Sequence, residues 1–222
     1  MADASTAIVL IHGMWTPAIV FEIQRRRLRR LGYRTHSFSY PSVRGDLDDV
    51  ADALARRIDA LDAERVFLVG HSLGGLVLLT MLARHRSERV RRAVLLGSPC
   101  RDSHCARRML RHPQFGGLIG RPLRQWLERP LPDPVGMPEV GVVAGNRPIG
   151  IAGKLFKLPL PNDGVVTVSE TRWPWATDTI TLRLTHMQML TSAECLRKTV
   201  RFLETGAFVA DRHVESGQGG QG

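Results

Sequence analysis

Lysine is almost missing from this chain. Only Lys154, Lys157 and Lys198 occur in 222 residues, so 31 Lys+Arg against 21 Asp+Glu, a formal net charge of +10, is in effect an arginine charge. Aromatic residues are also scarce, at 6%. None interleaves with arginine clusters such as Arg25-Arg26-Arg27 with Arg29-Arg30, as base stacking by a single-strand binder would require. No nucleic-acid partner is therefore expected. The charge reads as a solvated basic surface, the other use for it being weak association with an anionic membrane surface. The three cysteines, Cys100, Cys105 and Cys195, are too few and odd in number for a disulfide framework, which suits a reducing compartment; a Cys100 to Cys105 bridge is the pairing left open. No apolar run approaches the ~20 residues of a membrane span. The opening residues, MADAST, show no basic start leading into an apolar stretch, so no signal peptide is expected and the expected location is cytoplasmic.

At 43% hydrophobic residues the chain can bury a substantial core, and its length suits one domain over residues 1–210. Six runs read as strands, residues 7–11, 33–40, 65–69, 92–96, 140–144 and 179–184, each followed by helical material. That alternation predicts an α/β architecture of about six mostly parallel strands with helices on both faces. The stretch GDLDDVADALARRIDALDA places Leu47, Val50, Leu54, Ile58 and Leu61 on one stripe, behind an N-cap at Asp46. A final helix over 192–205 is closed by Gly206. The glycine-rich residues 211–222 are expected to form a disordered tail. Residues 99–135 are too long for a plain connection and should hold helices near 103–111 and 118–128. These either roof a pocket or pack on the sheet.

Residues 65–76 read RVFLVGHSLGGL, a buried parallel strand that stops at a serine between glycines and runs on into an apolar helix. G-x-S-x-G at a strand-to-helix corner is the signature of a nucleophile elbow, and the competing reading is an ordinary loop that contains these residues by chance. Ligands of an open parallel sheet bind beyond the carboxyl ends of the strands, and that rule tests each candidate. Ser72 follows strand three at that rim. Strand one ends there in IHGMW, where Gly13 lets the backbone N–H of Met14 face the site; the N–H of Leu73 would be the second donor that a tetrahedral acyl intermediate needs. His186, expected to close strand six, supplies an imidazole of suitable basicity. His71 and His12 read as structural supports, His71 pointing away from the elbow; His104, in the 99–135 segment, is a weaker rival. For the carboxylate that orients the base, Asp163 in PNDGVV is preferred to Asp102, while Asp178 falls at the wrong end of the sheet.

The segments VLIHGMW, LVGHSLGG, LLGSP, PNDGVV and THMQML together resemble a small α/β-hydrolase of the bacterial lipase and esterase kind over roughly residues 7–206. The resemblance implies a minimal α/β-hydrolase fold with Ser72 as nucleophile, His186 as base, Asp163 as acid, and Met14 and Leu73 as oxyanion donors. Two strands that usually precede the histidine-glycine strand are missing from it, as is the signal peptide of the secreted lipases. Trp15 and Met187, beside these positions, are candidates for an apolar wall or for plain core packing. The expected activity is hydrolysis of a small-molecule or lipid carboxylic ester, with no metal, no cofactor and no obligate protein partner. The alternatives are thioester, amide or phospholipid acyl hydrolysis by the same residues, or a binding module that keeps the fold without the chemistry.

Overall fold

A computed structural model describes residues 5–129 and 131–209. The expected tail over 211–222 lies outside the described residues. Six strands, β1 (Thr6–Ile11), β2 (Arg34–Phe38), β3 (Arg65–His71), β4 (Val90–Leu96), β5 (Glu139–Gly145) and β6 (Asp178–Leu182), form one sheet in the order β2-β1-β3-β4-β5-β6. Every neighbouring pair is parallel. The chain steps outward from β1 to β2, then returns across β1 to β3 and continues the other way. The order therefore reverses between β1 and β3, the position where open α/β sheets form a crevice at their carboxyl rim.

The sheet is covered on both faces because its central strands are apolar on both. On one side Ala7, Val9, Ile11, Val66 and Leu68 pack with α2 (Leu47–Asp59) and α3 (Leu73–Arg84). On the other, Ile8, Leu10, Phe67, Val69 and Val94 pack with α1 (Glu22–Arg30) and α8 (Ala193–Thr205). Asp46 caps α2, accepting from the N–H of Asp48 at 3.0 Å, and Ser192 caps α8, accepting from Cys195 at 3.1 Å. Gly206 ends α8 in the left-handed conformation, φ 81°. Among the described residues no helix is long and apolar enough to cross a membrane. All three cysteines are buried free thiols, so the Cys100 to Cys105 bridge is not formed.

Segment 99–135 divides its roles. Its later helix, α6 (Arg121–Leu127), buries Leu123 and Trp126 in the core shared with α2 and α3, whereas α4 (His104–Leu110) and α5 (Pro113–Gly116) sit with a small cluster of Cys105, Phe156 and Leu158. The segment is also stitched to the rim. Gly120 N–H points at Met14 Sδ at 3.3 Å, Arg121 N–H donates to Val43 O at 2.8 Å, and Gln125 Oε1 accepts from Leu47 N–H at 2.8 Å. After β5, a five-residue helix α7 (Ile151–Leu155) leads into the loop that carries Asp163.

Candidate active site

The turn after β3 explains why G-x-S-x-G takes glycine where it does. A Cβ on Gly74 would lie 2.2 Å from the carbonyl oxygen of Ile11, and one on Gly70 would lie 2.6 Å from Gly75 Cα. The first turn of α3 thus slides directly beneath the end of β1, which only a residue without a side chain permits. Between the glycines Ser72 adopts φ 54°, ψ −124°, a conformation that L-residues avoid and that serves to lift its side chain off the strand. Asp46, Ser103 and Ser192 all spend their side chains capping helices, but Ser72, at the same position of α3, makes no capping bond. Its hydroxyl is left for something else.

Asp163 and His186 meet. Asp163 is fully buried, and its Oδ2 accepts from His186 Nδ1 at 2.8 Å; Oδ1 accepts from the N–H groups of Val165 at 2.9 Å and Val166 at 2.7 Å. A second tie runs from the His186 N–H to the Asp163 carbonyl at 2.9 Å. Burial alone would push the Asp163 carboxyl up. The nearby His186 ring, the bond to it and the two loop N–H groups outweigh that and hold it below the usual carboxylate range. The bond through Nδ1 leaves Nε2 as the imidazole nitrogen that can accept a proton.

Gly97, immediately after β4, marks how this pair sits relative to Ser72. Ser72 N–H donates to Leu96 O at 2.9 Å, and a Cβ on the next residue, Gly97, would stand 3.1 Å from Asp163 Oδ2 and 3.2 Å from His186 Nδ1. On the other flank, a Cβ on Gly13 would stand 3.1 Å from Ser72 Cβ. Five segments that are remote in sequence thus meet at one rim. Among the described residues, the N–H groups of Met14 and Leu73 donate no hydrogen bond.

Several expectations need correction. His186 does not close β6, which ends at Leu182; it sits in a turn leading to a short 3₁₀ segment, Met187–Leu190. His71 does not point away from the site. It is buried, its Nε2–H donates to the His186 carbonyl at 3.1 Å, and its ring lies 4.6 Å from the His186 ring. Burial first, and the neighbouring His186 second, depress its pKa to about 3, so it is a neutral imidazole. Its Nδ1 is buried without a partner. The signal available in sequence was adjacency to Ser72, which did not reveal which neighbour the ring would reach.

The other candidates fall elsewhere. His12 braces the turn after β1: Nδ1–H donates to Gly13 O at 2.8 Å, and the ring stacks on Tyr40 at 4.5 Å. His104 bonds to Phe156 O at 3.2 Å, and Asp102 is taken up by the N–H of Ser103 and by Arg107. Asp178 accepts from Phe208 N–H at the opposite end of the sheet. Trp15, at φ 62° and 57% exposed, and Met187, 50% exposed, are not core residues. Trp15 lines a cavity of about 810 Å³ together with Val43 and Ile119.

A parallel sheet with its crevice at this rim, carrying a serine turn and a buried aspartate-histidine pair, defines the α/β-hydrolase class. The model of the alpha/beta hydrolase family matches residues 8–211, and the chain belongs to that family. Among solved structures, the mature lipase BlEst2 of Bacillus licheniformis is similar with a TM-score of 0.72 at 21% identity, over 93% of this chain and 94% of that one. A pyrethroid hydrolase of Sphingobium faniae is similar at 0.62 and 16%, over 90% and 98%. A non-heme chloroperoxidase of Kitasatospora aureofaciens is 35% identical over 99 residues, 41% of this chain and 36% of that protein. The chain thus matches little more than a third of the length of such curated relatives.

Proposed function

We propose that the protein is a serine hydrolase that cleaves carboxylic esters through an acyl-enzyme. His186 Nε2 takes the proton of Ser72 Oγ as the oxygen attacks the ester carbonyl, and Asp163 keeps the ring in the required tautomer and stabilises its charged form. The oxyanion is received by the N–H groups of Met14 and Leu73, each worth ~3 kcal/mol of barrier in comparable sites. The positive end of α3, which begins at Leu73, favours the same charge. His186 then gives its proton to the departing alcohol. In the second half, water loses a proton to His186 and attacks the acyl carbon, and Ser72 leaves with that proton. The cavity beside Trp15 and the exposed Met187 offer apolar surface for a small-molecule or lipid ester.

The observation that carries this reading is the buried 2.8 Å bond of Asp163 to His186 beside a serine left uncapped on a strained turn. The names of the structural neighbours, a lipase and a pyrethroid hydrolase, agree with it. The test is labelling with a fluorophosphonate, together with turnover of short- and long-chain 4-nitrophenyl esters. Labelling and turnover that both vanish in Ser72→Ala support the proposal. Labelling without turnover of any ester shifts the activity to another acyl leaving group, and turnover that survives Ser72→Ala ends it.

A further inference from the structure

A second cavity, of about 540 Å³, lies between α4 and residues 167–170 that follow the Asp163 turn, and its walls are basic. Arg101, Arg107, Arg108 and Arg111 line it, against Asp102 and Glu170. The two carboxylates are already committed. Asp102 pairs with Arg107, and buried Glu170 accepts from the N–H groups of His104 and Thr167. Arg101, Arg108 and Arg111 have no side-chain partner among the described residues. Some arginines elsewhere pair with acids, Arg84 with Asp52 at 2.9 Å and Arg129 with Asp48 at 2.6 Å, and others such as Arg56 and Arg57 stand in solvent. What distinguishes Arg101, Arg108 and Arg111 is that they share one hollow. Unneutralised guanidinium groups gathered around one hollow repel one another until an anion joins them.

We propose that this cavity anchors the phosphate of a phosphorylated ester substrate, an inference that rests on the ester-hydrolase reading above. A phosphate dianion suits several converging guanidinium forks better than a single carboxylate does, because its oxygens can accept bidentate bonds from more than one arginine. Reach also fits. The cavity is walled by residues of 101–111 and 167–170, which follow Gly97 and Asp163 along the chain, with Pro159 beside them, and Arg101 lies four residues beyond Gly97. At ~3.3–3.6 Å per residue their Cα atoms are no more than about 14 Å apart. An ester whose phosphate lies on the order of 10 Å from its carbonyl would span the two.

Two measurements test it. The first compares hydrolysis of 8-hydroxyoctyl butyrate with that of its phosphate monoester, substrates that differ only in the terminal phosphate. The wild-type enzyme should favour the phosphorylated ester at least tenfold in kcat/KM, mostly through KM. The double variant R108Q/R111Q should lose that preference and keep its rate on the neutral ester, while R56Q/R57Q, with the same loss of charge on the exposed face of α2, should retain it. Equal kcat/KM for the two esters, or a preference that survives R108Q/R111Q, would overturn the proposal. The second is calorimetric titration with inorganic phosphate at constant ionic strength, which needs no turnover. Saturable 1:1 binding, weakened at least tenfold in R108Q/R111Q and not in R56Q/R57Q, upholds the cavity even if neither ester is cleaved and the hydrolase reading falls. No saturable binding, or equal weakening in both double variants, refutes it.

Discussion

Replacing Gly97 by alanine probes the site without touching any group that would react. Gly97 holds φ 56°, and adding a side chain there costs about 1–2 kcal/mol of stability because the left-handed region crowds Cβ against the following carbonyl. The new methyl would also stand 3.1 Å from Asp163 Oδ2 and 3.2 Å from His186 Nδ1, the two atoms of the 2.8 Å bond. Neither can swing away, since the Asp163 and His186 side chains are 0% and 9% exposed. The pair must yield by a few tenths of an ångström. Misplacement by 1 Å can cost 10²-fold in rate, so kcat on a 4-nitrophenyl ester should fall ~10-fold or more, with KM little changed. Gly206→Ala is the control: φ is 81°, and its Cβ would meet only the Glu139 carboxylate, at 3.0 Å, far from the serine. Urea denaturation should show comparable losses for both variants, while only Gly97→Ala loses rate. A Gly97→Ala enzyme destabilised as expected but with full kcat would refute the view that this glycine makes room for the pair.

Asp163→Asn keeps the shape but removes the charge and the tautomer control, so kcat should drop by about 10³–10⁴ while Asp102→Asn changes it less than twofold; comparable losses in the two variants would reassign the acid. His71 titrates near 3 in the folded protein against 6.5 when free, so the folded state binds fewer protons and stability falls as pH drops from about 6.5 towards 3, by up to ~1.4 kcal/mol per pH unit from this group. Urea midpoints between pH 4 and 7 should show a flatter acid dependence in His71→Leu, and an unchanged slope would contradict the assignment. Burial raises all three thiols, Cys105 and Cys195 to about 12, so a disulfide reagent should label the native protein slowly and the urea-unfolded protein at once; fast native labelling would contradict their burial.

What could be read from sequence was whatever local chemistry decides. The strand-to-helix turn at Ser72 is written in its glycines, and the helix behind Asp46 is written in the spacing of Leu47, Val50, Leu54 and Ile58. Strand limits were less legible, because pairing sets them: β6 stops at Leu182, where its register with β5 ends at Gly145, and three further residues lead to His186. The ring of His71 was misjudged for a related reason. Alternation along a strand says which face a side chain takes but not what arrives there from a loop more than a hundred residues later. The rim rule admitted both Asp163 and Asp102 and the Asp-Gly turn favoured the first, whereas the backbone tie from His186 to Asp163 depends on the path of the loop after α7. Residues 99–135 admitted two placements because each half has its own apolar face. Trp126 went to the sheet core, and Cys105 and Phe115 to a separate cluster above the rim.

The stitching of Gly120 and Arg121 to Met14 and Val43 makes that segment a brace. A Cβ on Gly120 would lie 2.8 Å from Ser42 O and 3.2 Å from Met14 Sδ, so the approach is as close as a glycine allows. Trimming the segment to uncover the crevice would slacken the turn bearing Met14 and, through Gln125, the start of α2 as well. Access and rigidity are coupled in this architecture, and an engineer who wants a wider entrance would do better to shorten side chains along it than to delete backbone.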